Sequence, residues 1–346
     1  MFNFIVRRLL QLIPTLFVVS AIVFALLALK PGDPIDELRI GNPGFTQADY
    51  ERLAKAYGLD QPWYVRYWFW LGRAIQGDFG PSRNYGRPAA EYVFNVRLPN
   101  TLVLSGISLT LALIIAIPAG VISALRKQTP IDYGITVVNF VGISIPIFWL
   151  GIILIYIFSV HFRQFLPAGS LSTPGINWPD WAAITAQTTD TGLAVSQYAD
   201  KAVDYIVDRA RHLVLPVVAL SSLQTASWTR FMRSSMLEVI HLDYVRTARA
   251  KGVDERRVVL RHALRNAVLP IITLIALAIP AVFSGAVLTE TVFNWPGMGR
   301  AIFDAILVND LNVAMVSLMF ISLLILAFNL LADIAYAMVD PRIRYD

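Results

Sequence analysis

Long apolar runs alternate with short charged segments along this chain, and the apolar runs set its architecture. A helix crossing a bilayer needs about 20 largely apolar residues, because each rises about 1.5 Å through a hydrocarbon core about 30 Å thick. Four runs meet that requirement: Leu9–Leu29, Leu98–Leu125, Tyr133–Val160 and Ala267–Thr289. A fifth, Leu311–Ala332, continues through Asp333 toward Met338. Leu213–Thr229 is shorter, contains Pro216 and carries Ser, Gln and Thr. Small polar residues suit a helix packed inside a bundle, so this run counts as a sixth span. The pattern predicts an all-α, polytopic membrane protein with six transmembrane helices. Residues 1–30 form the N-terminal end and first span, and 31–97 a large external loop. Residues 98–340 form a core with spans 98–125, 133–160, 213–229, 267–289 and 311–338, and 341–346 form a tail.

Basic residues orient these spans. Arg7 and Arg8 precede the first, Arg126 and Lys127 follow the second, and Arg342 and Arg344 follow the sixth. Residues 230–265, between the fourth and fifth, hold nine basic residues against four acidic ones. With six spans all four places fall on one side, as the positive-inside rule requires, so both termini are expected in the cytoplasm. Removing the fourth span would put the Arg126 turn and the 230–265 segment on opposite faces. The first residues resemble a signal peptide, but no small-residue cleavage site follows, and an uncleaved first span is expected.

The external loops contain helix signals of their own. Thr46 is placed to cap a helix from Gln47 to Tyr57, with Gly58 ending it. After Pro62 comes WYVRYWFWLGRAI, a second helix with many aromatic residues. It suits an interfacial belt, rings half in and half out of the headgroups, or a rim for an external partner. The loop 162–211 is rich in Thr, Ala and Asp and shows no chemistry.

Composition agrees with the pattern. The chain of 346 residues is 56% hydrophobic and 15% charged, whereas soluble domains average about 25% charged. With no cysteine, disulfides, thiolate metal sites and a cysteine nucleophile are excluded. There is no GxxxxGK[ST] phosphate loop and no GxSxG elbow, and no pair of carboxylates shares a span. The four histidines, at 161, 212, 241 and 262, lack ligand spacing, so no metal site is expected. Glu290 and Asp333, near the ends of the fifth and sixth spans, are the acidic groups a proton-coupled carrier would need. Both are expected close to an interface.

The segment HLDYVRTARAKGVDERRVVLRHALRNAVLP, 241–270, is the outlier. Asp243 is expected to cap a short helix whose first turn is Tyr244–Val245–Arg246, and Gly252 to end it in the left-handed conformation. Asp254 then caps a second helix to Ala267, and Pro270 opens the fifth span. Arg246 and Arg249, one turn apart, present charge on the same side, and Ala248, Ala250 and Gly252 leave room for close approach. Attachment to spans at both ends argues against nucleic acid. Spacing alone leaves two readings open: a face for anionic lipid, worth about 1 kcal/mol per basic residue, or a knob for a soluble protein.

YVRTARAKG followed by RHALRNAVLP resembles the cytoplasmic "EAA" loop of ABC-importer permeases, in the form of the dipeptide/oligopeptide/nickel branch, B-type subunit. Ordered matches along the chain agree: RRLLQLIPTLFVVS, LKPGDPI, YGLDQPWYVRYWFWL with GDFGPS, ETVFNWPGMGR and AYAMVDPRIRY. The Glu-Ala-Ala of the general pattern is here Arg246–Thr247–Ala248, and Leu269–Pro270 come late, as in the peptide branch rather than the sugar branch.

The resemblance implies the type I importer permease fold and a place in a bacterial or archaeal inner membrane. It implies a second, C-type permease, two ATP-binding subunits and an extracytoplasmic binding protein as partners, with ATP and magnesium held by the ATP-binding subunits. Peptides are the implied cargo, and nickel chelates, glutathione or oligosaccharides the alternatives. Docking would fall to Asp243, Tyr244, Arg246, Thr247, Ala248, Arg249, Ala250, Lys251 and Gly252. Arg246, Arg249 and Lys251 would supply charge, Ala248 and Gly252 a close fit. Ser144, Pro146, Phe148, Trp149, Ser284 and Thr289 are candidates to line the path. Trp295, Pro296 and Gly297 are candidates for an external gate.

Overall fold

The computed structural model describes residues 2–30, 35, 44–56, 58–162, 165–188, 190–284 and 286–339; the side chains at 2–9, 56, 273, 276, 277, 281, 283, 284 and 331–339 lie outside that description. Among the described residues all regular structure is helical. The helices are α1 (Phe2–Ala28), α2 (Gln47–Ala56), α3 (Trp63–Ala74), α4 (Ala89–Leu125), α5 (Pro130–Ser144), α6 (Ile147–His161), α7 (Trp181–Thr185) and α8 (Thr191–Val239). After them come α9 (Asp243–Ala250), α10 (Glu255–Arg257, Val258–Ala263 and Leu264–Ala267 in succession), α11 (Leu269–Ser284), α12 (Val287–Val292), α13 (Met298–Leu307) and α14 (Leu311–Val339).

Among the described residues three helical stretches are long and apolar enough to cross a membrane: Leu10–Ala28, Ala89–Leu125 and Leu311–Leu330. A fourth crossing arises if α5 and α6, which meet at 99°, are one broken span. The single span expected over 133–160 is therefore not continuous. Proline causes the break: Pro146 has no N–H and drives Ile145 out of the helical region, to φ −86° and ψ 121°. The run expected over 267–289 is likewise divided between α11 and α12. Leu213–Thr229 lies inside α8, whose 49 residues extend about 74 Å, more than twice the hydrocarbon thickness. If α8 crosses a bilayer upright, it also extends well beyond the hydrocarbon layer. It begins within the segment expected to be a loop, where Asp190 accepts hydrogen bonds from the amides of Gly192 (2.8 Å) and Leu193 (3.3 Å).

The chain forms two compact units. The first comprises residues 1–102, 276–287 and 297–346. Within it, Phe24 on α1 packs with Tyr67 and Trp70 on α3 and Met315 on α14, and the Tyr67 and Ser20 hydroxyls are 2.8 Å apart. The expected cap at Thr46 is present: its hydroxyl accepts the Asp49 amide at 3.2 Å, and Asp49 accepts the Thr46 amide at 3.1 Å. The helix ends at Ala56, and Gly58 is left-handed at φ 64°; Tyr57 lies outside the described residues.

The GDFGPS stretch folds as a clamp on the start of α14. Asp310, fully buried, accepts from the Ser82 hydroxyl at 2.6 Å and the Arg83 amide at 3.1 Å. The Asn312 amide group donates to the Pro81 carbonyl at 2.8 Å. Gly80 is required by conformation, its φ of 80° lying in the left-handed region.

The second unit comprises residues 103–275 and 288–296. Here α4 and α8 cross so closely that a Cβ on Gly120 would sit 2.5 Å from the Met232 side chain. Asp208 on α8 holds the preceding loop by accepting from the Thr173 hydroxyl at 2.6 Å and its amide at 2.8 Å. Burial pushes the Asp208 carboxyl up, but these bonds and the neighbouring His212 and Arg211 bring it below the ordinary carboxylate value.

Candidate docking helix and its seat

The segment 241–270 forms the two helices expected, joined by a left-handed glycine. Asp243 is not the cap. Leu242 occupies that position in an extended conformation, and Asp243 is the first helical residue. An acidic group in the first turn still complements the helix dipole. The C-terminus closes as a Schellman motif. Gly252, at φ 73°, donates to the Arg249 carbonyl at 2.9 Å, and Val253 donates to the Ala248 carbonyl at 3.3 Å. Asp254 caps α10, accepting the Arg257 amide at 3.3 Å.

Two side chains seat α9. Val245 is fully buried and Ala248 nearly so, three residues apart on one face. They join a cluster of Val121 and Ala124 from α4, Met232 and Met236 from α8, Val258, Val259, Ala263 and Ala267 from α10, and Ile271 from α11. Full burial of a valine-sized side chain contributes roughly 1.5–3 kcal/mol. Ala248, expected to offer close fit to a partner, is thus committed to the chain's own core.

The opposite face is charged and open. Asp243, Arg246, Thr247, Ala250 and Lys251 are exposed, and so is Gly252 at the end. Arg249 turns back and grips Glu255 at the start of α10, with nitrogen–oxygen distances of 2.7 and 3.0 Å. This bond holds the Glu255 carboxyl below its ordinary value and raises the Arg249 guanidinium. Tyr244 receives the Asn266 amide group on its hydroxyl at 2.7 Å, and Thr247 bonds back to the Asp243 carbonyl at 2.8 Å. The outward face is left with Arg246 and Lys251 as its main charges, on a helix fixed at both ends.

A buried ion pair that the sequence reading missed lies beside this seat. Asp132, in the first turn of α5, is 3% exposed. Its two oxygens accept from Arg233 of α8 at 2.8 and 2.9 Å, from the Gln128 amide at 2.9 Å, and from the Ser123 hydroxyl. The available signal was Thr129–Pro130 followed by an acid, which announces a helix start but not the partner 101 residues away.

The remaining candidates separate. Ser144, Pro146, Phe148 and Trp149 are exposed around the α5–α6 bend, with the Ser144 hydroxyl bonded to the Phe140 carbonyl at 2.7 Å. Thr289 is buried on α12, and the Ser284 side chain lies outside the described residues. Trp295 is fully buried with Leu104 and Val217, and Gly297 is buried, so the Gly/Pro turn is packed rather than free. Next to it, the Phe293 carbonyl accepts the Ser170 amide at 2.8 Å, and Gly169 presses so close that no Cβ would fit. Glu290 is fully buried, and the Asp333 side chain is outside the described residues.

Several apolar helices, with a short charged helix seated between them in the chain, define a multi-pass membrane protein. The chain belongs to the family of binding-protein-dependent transport system inner membrane components, which it matches over residues 116–345, with the N-terminal region of such components matched over residues 1–117. Among its relatives, the oligopeptide transport system permease protein AppB of Bacillus subtilis is 42% identical over 343 residues, 99% of each chain. The di/tripeptide transport system permease protein DppB of Pseudomonas aeruginosa is 38% identical over 100% of this chain and 99% of its own. The dipeptide transport system permease protein DppB of Escherichia coli is 36% identical over the same shares.

Proposed function

We propose that the chain is the B-type permease of an ABC importer that carries di- or oligopeptides across the inner membrane. One observation carries the reading. A family member without a phosphate loop presents a short helix whose inner face is locked and whose outer face is charged. ATP hydrolysis then belongs to two partner subunits, and α9 is the part that one of them grips. A second permease completes the pore, and an external binding protein delivers the peptide, the cargo named for AppB and DppB. Six spans with both termini cytoplasmic satisfy the basic-residue distribution. On this assignment α8 supplies the fourth span, and α11 with α12 the fifth. The exposed bend at Ser144–Trp149 lines the path. The outward aromatic face of α3 rests against lipid.

Co-expression of the chain with its partner subunits tests the reading. Arg246→Glu combined with Lys251→Glu is expected to strip the ATP-binding subunits from the purified complex and abolish stimulation of hydrolysis by the binding protein. Full retention of both would refute the docking assignment. Uptake of dipeptide without ATP, abolished by Glu290→Gln, would instead favour a proton-coupled carrier.

A further inference from the structure

The Asp132–Arg233 pair is more elaborate than packing requires, and its location is specific. Ser123 lies near the end of α4, Gln128 in the α4–α5 turn, Asp132 at the start of α5 and Arg233 on α8. One carboxylate therefore gathers three helices, and all four of its hydrogen bonds come from their meeting point. The turn it closes is strained, since Gln128 is a non-glycine residue at φ 62°. Such a conformation persists only where surrounding bonds over-determine it. The Gln128 amide bond to Asp132 is one, and Thr129 adds others, its amide and hydroxyl both donating to the Arg126 carbonyl, at 3.1 and 2.6 Å. The residues flanking Arg233 and Ser123 belong to the seat of α9. Met232 and Met236 on α8, and Val121 and Ala124 on α4, form the cluster that receives Val245 and Ala248. Ser235 extends the tie by donating to the Ala267 carbonyl of α10 at 2.8 Å.

We propose that Asp132 and Arg233 are positioning residues for energy coupling: their ion pair binds the α4–α5 turn to α8, so that the helices bearing the α9 seat move as one rigid body. The inference rests on α9 being the docking helix. A push on α9 reaches α4 and α8 through apolar side chains that can slide past one another. The bidentate pair blocks that sliding, because a guanidinium and a carboxylate bonded at two points tolerate little rotation or shear. Arg233 thus acts through α8 and α9, not on the transported molecule.

Because this chain has no cysteine, two labels can be placed in it at chosen sites within the assembled importer once any cysteines of the partner subunits are replaced. Spin labels at Lys127→Cys, in the α4–α5 turn, and Arg256→Cys, at the start of α10, report whether the two sites keep one separation. A single narrow distance is expected with and without ATP. In Asp132→Asn the distribution is expected to broaden or shift with nucleotide. The ATP-binding subunits still co-purify, and dipeptide taken up per ATP falls on the order of tenfold, within the usual range of coupling between sites. Arg233→Lys, which keeps the charge but not the two-point geometry, is expected to lie between. A distance that changes with ATP in the unsubstituted chain, or stays single in both variants, would overturn the proposal. If Asp132→Asn fails to accumulate, Arg233→Lys decides by the same two readings. Loss of the ATP-binding subunits in the Arg246→Glu/Lys251→Glu chain tests docking separately, so the two claims fail independently.

Discussion

Two short helices, α3 and α9, solve opposite problems with the same geometry. Each is pinned through one face and open on the other. The inner face of α3 is aromatic, with Tyr67 and Trp70 packed on Phe24, and its outer face is aromatic too, with Tyr64, Trp68 and Phe69 exposed. The inner face of α9 is a valine and an alanine, and its outer face carries Asp243, Arg246 and Lys251. A helix apolar on both sides needs an apolar neighbour beyond the protein, whereas a helix charged on one side can face water or a soluble partner. The difference lies in what each outer face is made to meet.

Substitutions at the pinned faces should have the largest effects, because each open face leaves the fold intact. Val245→Asp puts a charge into the α9 seat and is expected to cost more than about 4 kcal/mol locally, the range for an unpaired buried charge. The readout is loss of the ATP-binding subunits together with new protease cleavage between Arg246 and Lys251. Survival of docking would mean that α9 is not held by its inner face. Tyr67→Ala should cost about 3–5 kcal/mol by analogy with other large aromatic deletions. It should lower the melting temperature in detergent while leaving subunit association intact, and a loss of association would break the separation between the two helices. Gly252→Ala forces a side chain into a left-handed position and should cost about 1 kcal/mol, read as a modest fall in affinity for the ATP-binding subunit.

The smallest effect concerns pH. The Arg249 bond lowers the Glu255 carboxyl below its ordinary 4.5, so its contribution is complete above that value and is lost as pH falls through the lowered one. Subunit association should be flat at neutral pH and weaken only in acid. Glu255→Gln should flatten that acid limb, checked by association measured across a pH series, and the pair is exposed enough that the change is small.

The sequence showed much of the segment 241–270 because its signals are local. Gly252, Asp254 and Pro270 each act within a few residues, and their roles agree with the structure. Capping at Asp243 was misplaced by one residue, since Leu242 can take the extended conformation without a side-chain bond. The inward turn of Ala248 and the return of Arg249 to Glu255 depend on what α10 presents, and no spacing within α9 reveals that. The same limit explains Asp132: its turn was readable, but not its partner on α8.

Apolar run lengths by themselves determined a helical, multi-pass membrane protein, and the basic-residue distribution its expected orientation. These are one-dimensional quantities, set by bilayer thickness and by local backbone preference. Only the tertiary structure decided that Pro146 breaks a span through 99°, that Trp295 and Glu290 are buried, and that Asp132 meets Arg233 across 101 residues. Burial and long-range pairing depend on which helices pack together, and that is decided when the chain folds into its two units.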